Sequence, residues 1–310
     1  MKKILISPSS FGECGPEPLL MLKSAGFEPI LNPYGRKLTE EETITLGKDI
    51  IGAVAGVENY SKNVLEQLGS LKCISRVGVG VDTIDFDYTK KKDIKVLITP
   101  DAPTQAVAEL SVALAFNLLR RISLSDRRIR NGQWKKETGN LMEAKTVGII
   151  GLGRIGKKAA TLYKALGCCI CAYDKNFDND WLQQHGVMPV TLEELLKVSD
   201  IISIHVPGLD NGTPIIGSVE LSFLKSEAIL INLARGGVIE ENALYAHLKA
   251  KPKCLTALDV FVTEPYNGKL TKLDNVVLTP HIGSYAKEAK LKMEIGAVEN
   301  LINYFRHLDV

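Results

Sequence analysis

The sequence predicts an α/β protein in which helices cover both faces of parallel sheets. Short apolar segments alternate with helical segments up to Ile98, and the alternation resumes after a glycine-rich turn at Gly151. Such alternation indicates parallel strands, because a parallel connection needs a crossover that a helix provides. With 310 residues, the chain exceeds one average domain, so we expect two doubly wound domains.

Composition argues against several classes of protein. The formal net charge is +2 and the longest basic run is Lys90 to Lys92, so we expect no nucleic-acid surface. Polar residues interrupt the apolar stretch from Ala106 to Leu119, and the N-terminus lacks the apolar core of a signal peptide, so we expect no membrane span. The 6 cysteines follow no spaced pattern, which favours free thiols over metal or disulfide sites and indicates a cytoplasmic location.

The chain up to Ile98 holds strand candidates separated by helical segments. The predicted strands are Lys3–Ser7, Glu28–Leu31, Ile51–Ala55, Cys73–Val77 and Lys95–Ile98. The predicted helices are Glu17–Ala25, Glu40–Leu46, Lys62–Leu68 and Phe86–Lys91. Thr39 and Glu42 match a capping box, in which each side chain accepts from the other residue's backbone N–H, so a helix should begin there.

The segment Arg76-Val-Gly-Val-Gly-Val-Asp82 carries two glycines directly after a predicted strand. Backbone N–H groups at such a turn can bind an anion. An ordinary tight turn is an equal alternative on the local residues alone.

A long helical stretch follows the break at Pro100 to Pro103. It runs from Gln105 to about Arg130 and its apolar residues recur on one broad face. This length favours a connector between domains that also offers an oligomer surface. A long core helix is the alternative.

The segment from Val147 to Gly156 predicts a dinucleotide site. The apolar run Val147–Ile150 ends at Gly151, and Gly153 and Gly156 follow before a helical pattern that closes at Gly167. In this motif the first glycine permits the turn, the second lets backbone approach a pyrophosphate and the third lets the helix pack on the strand. The helix N-terminus then favours the anion.

Asp174 selects the cofactor. It ends a second apolar run and lies 23 positions after Gly151, near the spacing of the acid that binds an adenosine ribose. A carboxylate there favours NAD, because it would repel the 2′-phosphate of NADP, although Lys175 could soften that repulsion. A phosphate loop of nucleotide hydrolases is disfavoured, because Lys158 stands where a magnesium-binding Ser or Thr is needed.

The remaining elements continue the alternation. Thr191 and Glu194 match a second capping box. The predicted strands are Ile201–His205, Ala228–Leu233, Leu255–Asp259 and Asn275–Thr279, and a final helix runs from Tyr285 to about Phe305.

Three ionisable residues follow the ends of these last strands. They are Arg235, Glu264 and His281. Ligands of doubly wound sheets bind at the carboxyl ends of the strands, so the three should face the cofactor. Arginine offers a fork for a carboxylate or a keto oxygen, and histidine can pass a proton near neutral pH. Each residue alone has an ordinary structural explanation, whereas the three together indicate catalysis.

At these positions the chain resembles the D-2-hydroxyacid dehydrogenases, most closely the phosphoglycerate dehydrogenases. The resemblance runs from about Ile51 to Leu301. Its motifs are Arg76-Val-Gly-Val-Gly-Val-Asp-Thr-Ile-Asp85, Thr99-Pro-Asp-Ala-Pro103, Val107-Ala-Glu-Leu110, Gly151-Leu-Gly-Arg-Ile-Gly156, His205-Val-Pro207, Ala234-Arg-Gly-Gly237, Leu258-Asp-Val-Phe261, Glu264-Pro265 and Pro280-His-Ile-Gly283.

The resemblance implies a role for each matching residue. His281 would be the acid/base, Glu264 would keep it oriented and protonated, and Arg235 would bind the substrate carboxylate. Arg76 and the backbone of Val77, Gly78 and Val79 would bind substrate. At that turn the resemblance therefore favours anion binding over an ordinary tight turn. The NAD contacts would be Gly151, Gly153, Arg154, Ile155, Gly156, Asp174, His205, Val206, Pro207, Thr213, Ala234 and Asp259.

The resemblance also implies the architecture. A Rossmann NAD-binding domain (residues 100–282) would be inserted in a flavodoxin-like substrate domain (residues 1–99 and 283–310). A homodimer would form through the NAD domain and the long connecting helix. The end at Val310 leads us to expect no C-terminal regulatory domain.

The substrate is less well determined than the reaction. The expected substrate is a small 2-keto or 2-hydroxy acid, with 3-phosphoglycerate first. Gly56 stands where phosphoglycerate dehydrogenases tend to carry a phosphate-binding arginine. The second candidate is glyoxylate, hydroxypyruvate or another 2-keto acid. An NAD-sensing corepressor is an alternative of another class. A formate dehydrogenase is disfavoured, because Glu264 replaces the glutamine of that family's Gln–His pair.

Overall fold

The computed structural model describes residues 2–208 and 212–308. In chain order its strands are β1 (Lys2–Ile6), β2 (Phe27–Leu31), β3 (Ile50–Ala55), β4 (Cys73–Arg76), β5 (Lys95–Leu97), β6 (Thr146–Ile150), β7 (Cys169–Tyr173), β8 (Met188–Pro189), β9 (Ile201–Ile204), β10 (Ile229–Asn232), β11 (Leu255–Leu258) and β12 (Val276–Leu278). Its α-helices are α1 (Glu17–Ser24), α2 (Glu40–Leu46), α3 (Lys62–Gln67), α4 (Phe86–Lys91), α5 (Thr104–Leu119), α6 (Ile122–Arg130), α7 (Arg154–Ala165), α8 (Asn179–His185), α9 (Leu192–Val198), α10 (Ser218–Ser222), α11 (Glu241–Ala250) and α12 (Lys287–His307). A 3-10 helix spans Lys269–Lys272.

The first of two compact units comprises residues 1–103 and 284–310. Its five parallel strands lie in the order β2-β1-β3-β4-β5, which is the flavodoxin-like order. One face packs on α3 through Leu65, and the opposite face packs on α12 through Leu301 and Phe305. Helices therefore cover both faces, as the sequence predicts.

The second unit comprises residues 104–283 and carries a seven-stranded parallel sheet. The order β12-β11-β10-β9-β6-β7-β8 contains the Rossmann arrangement, and its strand order reverses between β6 and β9. Residues of α5 and α7 pack on one face, and residues of α9, α10 and α11 pack on the other. The carboxyl ends of β6 and β9 are consequently adjacent, which is where such sheets bind ligands.

The long helix predicted from Gln105 to Arg130 is two helices. Arg121 adopts a left-handed conformation with φ 55° between α5 and α6. The Leu119 carbonyl accepts from the Asn140 N–H at 2.9 Å, and the Ser123 N–H, which an unbroken helix would direct to Leu119, donates to the Asn117 side chain at 2.9 Å. The prediction of one helix is wrong because the Asn140 N–H, distant in sequence, bonds to the Leu119 carbonyl that an unbroken helix would use.

Other differences are smaller. Predicted strand ends extend one residue too far at His205, Asp259 and Thr279, which lie just outside β9, β11 and β12. Both capping boxes are confirmed at Thr39 and Thr191. Within the described residues, no helix is long and apolar enough to cross a bilayer, and no group of His, Cys, Asp and Glu side chains suits a metal ion.

Candidate active site

In the glycine-rich turn after β6, neighbouring backbone segments approach each other closely. Gly151 has φ +92°, a conformation that L side chains rarely adopt. A Cβ atom on Gly156 would lie 2.0 Å from the Gly151 carbonyl oxygen, so only glycine lets α7 sit this close to the turn. A Cβ atom on Gly153 would meet nothing within 4 Å. The turn is therefore tight at Gly151 and Gly156 and open at Gly153, with Arg154 and Ile155 in the first turn of α7.

Asp174 connects the end of β7 to this turn. Its Oδ2 accepts from the Leu152 N–H at 2.5 Å and its Oδ1 accepts from the Asn176 N–H at 3.1 Å. The carboxylate is half-buried. These bonds place an acid beside the open turn, where the hydroxyls of an adenosine ribose would be received.

Residues after β9 form the other side of the turn. The His205 N–H donates to the Ile150 carbonyl at 2.7 Å. A Cβ atom on Gly151 would lie 2.6 Å from the His205 carbonyl oxygen and 2.9 Å from Val206. Pro207 and Thr213 are exposed. Val206 is thus packed against the glycine turn.

Arg235 is held by a turn that the Asn232 side chain shapes. Asn232, the last residue of β10, accepts from the Ala234 N–H at 3.0 Å and donates to the Arg235 carbonyl at 2.9 Å. The Arg235 guanidinium donates to the Ala234 carbonyl at 2.7 Å. A Cβ atom on Gly236 would lie 2.0 Å from the Phe261 carbonyl oxygen, so this turn packs directly on the segment after β11.

Asp259 anchors the segment that carries His281. Its buried carboxylate accepts from the Thr279 hydroxyl at 2.5 Å, the Ile282 N–H at 2.8 Å and the Gly283 N–H at 2.7 Å. Burial raises the pKa of this carboxyl group, and these hydrogen bonds oppose the rise. His281 lies between the anchored residues with φ 55°, a strained conformation for a non-glycine residue.

Glu264 and His281 are in contact. The His281 Nδ1 lies 2.9 Å from Glu264 Oε2, and Glu264 Oε1 accepts from the Phe261 N–H at 3.1 Å. The side chains of His281 and Glu264 are 45% and 37% exposed, so a ligand can reach them. The carboxylate thus fixes the ring through Nδ1 and leaves Nε2 for proton exchange with a bound molecule.

The candidate substrate residues of the first unit are Arg76, the last residue of β4, and the segment Val77–Val79 that follows it. Arg76 is a buried residue, and its guanidinium donates to the carbonyls of Val77 at 2.9 Å and Ala55 at 3.3 Å. The Val77 N–H donates to the Ala55 carbonyl at 2.9 Å, and the Gly78 N–H donates to the Thr99 hydroxyl at 2.8 Å. Two of the three N–H groups expected to bind an anion are therefore used within the unit, and Val79 is exposed.

Sequence reasoning missed Asn232 and the anchoring contacts of Asp259. It also missed a buried set of hydroxyls on Ser111, Tyr163 and Ser203. The available signal was a single polar residue inside an apolar segment, as Ser203 is within Ile201-Ile-Ser-Ile204. A buried polar side chain must find a partner, which makes each such residue worth explaining.

Residues 112–283 match the family model described as D-isomer specific 2-hydroxyacid dehydrogenase, NAD binding domain. The D-3-phosphoglycerate dehydrogenase of Archaeoglobus fulgidus is 38% identical over 251 residues, which cover 80% of this chain and 48% of that protein. The glyoxylate reductase of Thermococcus litoralis is 40% identical over 257 residues, which cover 80% of this chain and 78% of that protein. The chain thus spans about half the length of the phosphoglycerate dehydrogenase.

Solved structures with the same fold extend over nearly the whole chain. The D-lactate dehydrogenase of Aquifex aeolicus, in complex with NAD and lactic acid, superposes with a TM-score of 0.83 at 27% identity. The superposition covers 99% of this chain and 96% of that one. Both sheets therefore have counterparts in a protein of known ligands.

Proposed function

The chain belongs to the D-isomer specific 2-hydroxyacid dehydrogenase family, and from that membership we propose an NAD-dependent oxidoreductase that interconverts a D-2-hydroxy acid and its 2-keto acid. The observation that carries the proposal is the Glu264–His281 contact of 2.9 Å, which leaves one imidazole nitrogen able to pass a proton. The strands that precede Arg235, Glu264 and His281 are neighbours in one sheet, which supports their action as one set.

The residues of the second unit fit NAD. The Gly153 position is open to a pyrophosphate, the N-terminus of α7 favours its charge, and the Asp174 carboxylate suits a ribose without a 2′-phosphate. We propose the sequence-matched NAD contacts on this basis, including Val206 beside the turn and the exposed Pro207 and Thr213. When bound, the reduced cofactor supplies the hydride that reaches the carbonyl carbon.

The side chains of the chain supply the rest of the reaction. In the direction of reduction, the His281 Nε2 donates a proton to the keto oxygen, and Glu264 stabilises the imidazolium before that transfer. The Arg235 guanidinium binds the substrate carboxylate and favours the negative charge that develops on the keto oxygen. In the direction of oxidation, the same nitrogen accepts the hydroxyl proton. We propose the first unit as the substrate domain. Arg76 and the segment Val77–Val79 would contribute to substrate recognition, with Val79 as the exposed residue of that segment, since the Val77 and Gly78 N–H groups bond within the unit.

The substrate belongs to this proposal as well. Named relatives include a phosphoglycerate dehydrogenase and a glyoxylate reductase, so both a phosphorylated and an unphosphorylated 2-keto acid need testing. The full chain would be mixed with NADH and a panel containing 3-phosphohydroxypyruvate, hydroxypyruvate, glyoxylate and pyruvate, and the loss of NADH absorbance followed. Steady turnover with at least one of them is the expected result. No turnover with any 2-keto acid would contradict the proposal.

We also propose a homodimer formed through the second unit, and a cytoplasmic location. Helix α6 buries no side chain, and Ile122, Ile129 and Trp134 are exposed apolar residues of this region, which supports an interface there. Sedimentation velocity on the wild type and on Ile129→Asp would test it, with dissociation of the variant expected. All six cysteines lie in the described part of the chain as free thiols, which supports a reducing compartment.

A further inference from the structure

A chain of buried hydroxyl groups leads from the core of the second unit to His205. The Tyr163 hydroxyl lies 2.8 Å from the Ser111 hydroxyl, and the Ser111 hydroxyl lies 2.7 Å from that of Ser203. The Ser203 hydroxyl lies 2.9 Å from the His205 Nε2. The three hydroxyl residues are fully buried and come from α7, α5 and β9. Three separate elements thus meet at one hydrogen-bonded series.

Among the described residues, the other ring nitrogen of His205, Nδ1, has no hydrogen-bond partner. This nitrogen is itself buried. Buried polar atoms in folded proteins nearly always have a partner, so such an exception requires a reason. His205 follows β9 beside Gly151, at the point where the strand order reverses. A bound dinucleotide is therefore the partner that this position offers.

The number of available protons determines the direction in which hydrogen bonds are donated along the hydroxyl series. There are three contacts and three hydroxyl protons, so every hydroxyl can donate once only if His205 Nε2 accepts the last bond. If Nε2 instead carried a proton and donated it to Ser203, two contacts would remain for three hydroxyl protons. One fully buried O–H group would then have no acceptor, which is costly. Donation from Tyr163 to Ser111, to Ser203 and to His205 satisfies all three hydroxyls and leaves the Nδ1–H as the one donor that needs a partner from outside the series. This arrangement is favoured because Tyr163 is fully buried in the core, whereas His205 is only half-buried and lies beside the glycine turn, where a ligand or solvent can supply the acceptor.

We propose that Tyr163, Ser111 and Ser203 are positioning residues that hold His205 in its Nδ1–H tautomer, so that its ring presents a hydrogen-bond donor to an oxygen of the bound dinucleotide. The ligand-binding part of this inference rests on the proposed function, whereas the tautomer is a property of the chain itself. Burial lowers the pKa of His205 to about 4, so the donor is neutral near pH 7. It can therefore orient an uncharged acceptor without adding charge to the site.

The tautomer can be measured directly in the full chain without ligand. Nitrogen-15 labelling of the five histidines and long-range proton–nitrogen correlation distinguish a protonated ring nitrogen from an unprotonated one. The His205 signals would be assigned by their loss in His205→Gln. A protonated Nδ1 and an unprotonated Nε2 are expected. A protonated Nε2 in the wild type would overturn the proposal. This measurement requires no substitution at Tyr163, Ser111 or Ser203.

Two tyrosine variants test the series itself. Tyr163→Phe removes the first donor and keeps the buried ring, so His205 should shift to a mixture of tautomers. Tyr60→Phe is the matched control, because Tyr60 is equally buried and bonds to Ser7 in the first unit. Unchanged His205 shifts in a folded Tyr163→Phe protein would count against the series, as would equal changes in both variants.

A fluorescence titration with NADH tests the ligand-binding part. Tyr163→Phe should weaken NADH binding about 3- to 10-fold, the worth of one neutral hydrogen bond, and Tyr60→Phe should not. Equal affinities for the wild type and Tyr163→Phe, with the tautomer shifted, would remove the donor role. If the wild type failed to bind NADH at all, the proposed function would fail, while the tautomer measurement would still decide the hydrogen-bond series.

Discussion

Glu264 Oε2 lies 2.9 Å from His281 Nδ1, and the same carboxylate accepts from the Phe261 N–H through its other oxygen. The acid is therefore fixed by its own loop before it orients the imidazole. His281 is fixed separately, because Asp259 binds the Thr279 hydroxyl and the Ile282 N–H on either side of it. Two independent anchors determine the geometry of one carboxylate–imidazole pair.

His281→Gln should lower kcat by roughly 10²- to 10⁴-fold, the usual contribution of a positioned acid/base. Glutamine cannot exchange a proton at the position of Nε2. The NADH affinity should be unchanged, since the glycine turn lies elsewhere. Steady-state kinetics with the best 2-keto acid and an NADH titration would measure both. His307→Gln, at an exposed histidine of α12, is the matched control. Intact turnover in His281→Gln would contradict the mechanism.

Glu264→Gln should lower kcat by roughly 10- to 100-fold, because it removes the charge that stabilises the imidazolium and retains an oxygen for the ring. The exposed Glu227, which pairs with Lys253, gives the control variant Glu227→Gln. Both proteins would be compared over a range of pH. A Glu264→Gln rate equal to that of the control would mean that orientation alone, without charge, is sufficient.

Asp174→Ala should weaken NADH binding roughly 10- to 100-fold, which is the contribution expected of hydrogen bonds to a charged group. The same variant should show a smaller preference for NADH over NADPH. Asp174→Asn keeps an acceptor for the Leu152 N–H and separates loss of charge from disturbance of the turn. Asp180→Ala, at an exposed acid of α8, controls for net charge. Titration of each variant with both cofactors gives the comparison. An unaltered NADH affinity in Asp174→Ala would remove this residue from the site.

Gly153→Ala should impair NADH binding, whereas Gly156→Ala should impair stability. A methyl group on Gly156 meets a carbonyl oxygen at 2.0 Å, so that variant should lose roughly 1–3 kcal/mol of stability. The Gly153 position is open, so its variant should be stable within about 1 kcal/mol but bind NADH at least about 10-fold more weakly. Chemical denaturation and NADH titration would separate the two effects. Normal NADH affinity in Gly153→Ala would exclude a pyrophosphate from that opening.

The contribution of His205 to stability should fall as the pH falls. Burial lowers the pKa of His205 from 6.5 to about 4. Between these values the unfolded chain binds a proton that the folded chain does not, so acid favours unfolding. The stability difference between the wild type and His205→Gln should decrease by roughly 1 kcal/mol for each pH unit in that window. Urea denaturation at several pH values would measure it, with His307→Gln as control. A pH-independent difference would mean that His205 is not buried as a neutral ring.

Much of the fold and of the candidate site could be predicted because its signals are local. The glycines at 151, 153 and 156 and the acid at 174 belong to one strand–turn–helix–strand unit, and the backbone requirements of that unit restrict the residues at those places. Capping boxes at Thr39 and Thr191 likewise involve residues three positions apart. The rule that ligands bind at the carboxyl ends of strands predicts a group of Arg235, Glu264 and His281, of which Glu264 and His281 are in contact.

Only the tertiary structure decided the contacts between residues far apart in the chain. The end of α5 depends on Asn140, which takes the Leu119 carbonyl. The hydroxyl series joins Ser111 to Tyr163 and Ser203 across sequence separations of 52 and 92. No local pattern encodes such pairs, because each partner is selected by how helices pack on the sheet. Sequence could indicate that a lone buried serine needs a partner, but the packing alone determined which partner it found.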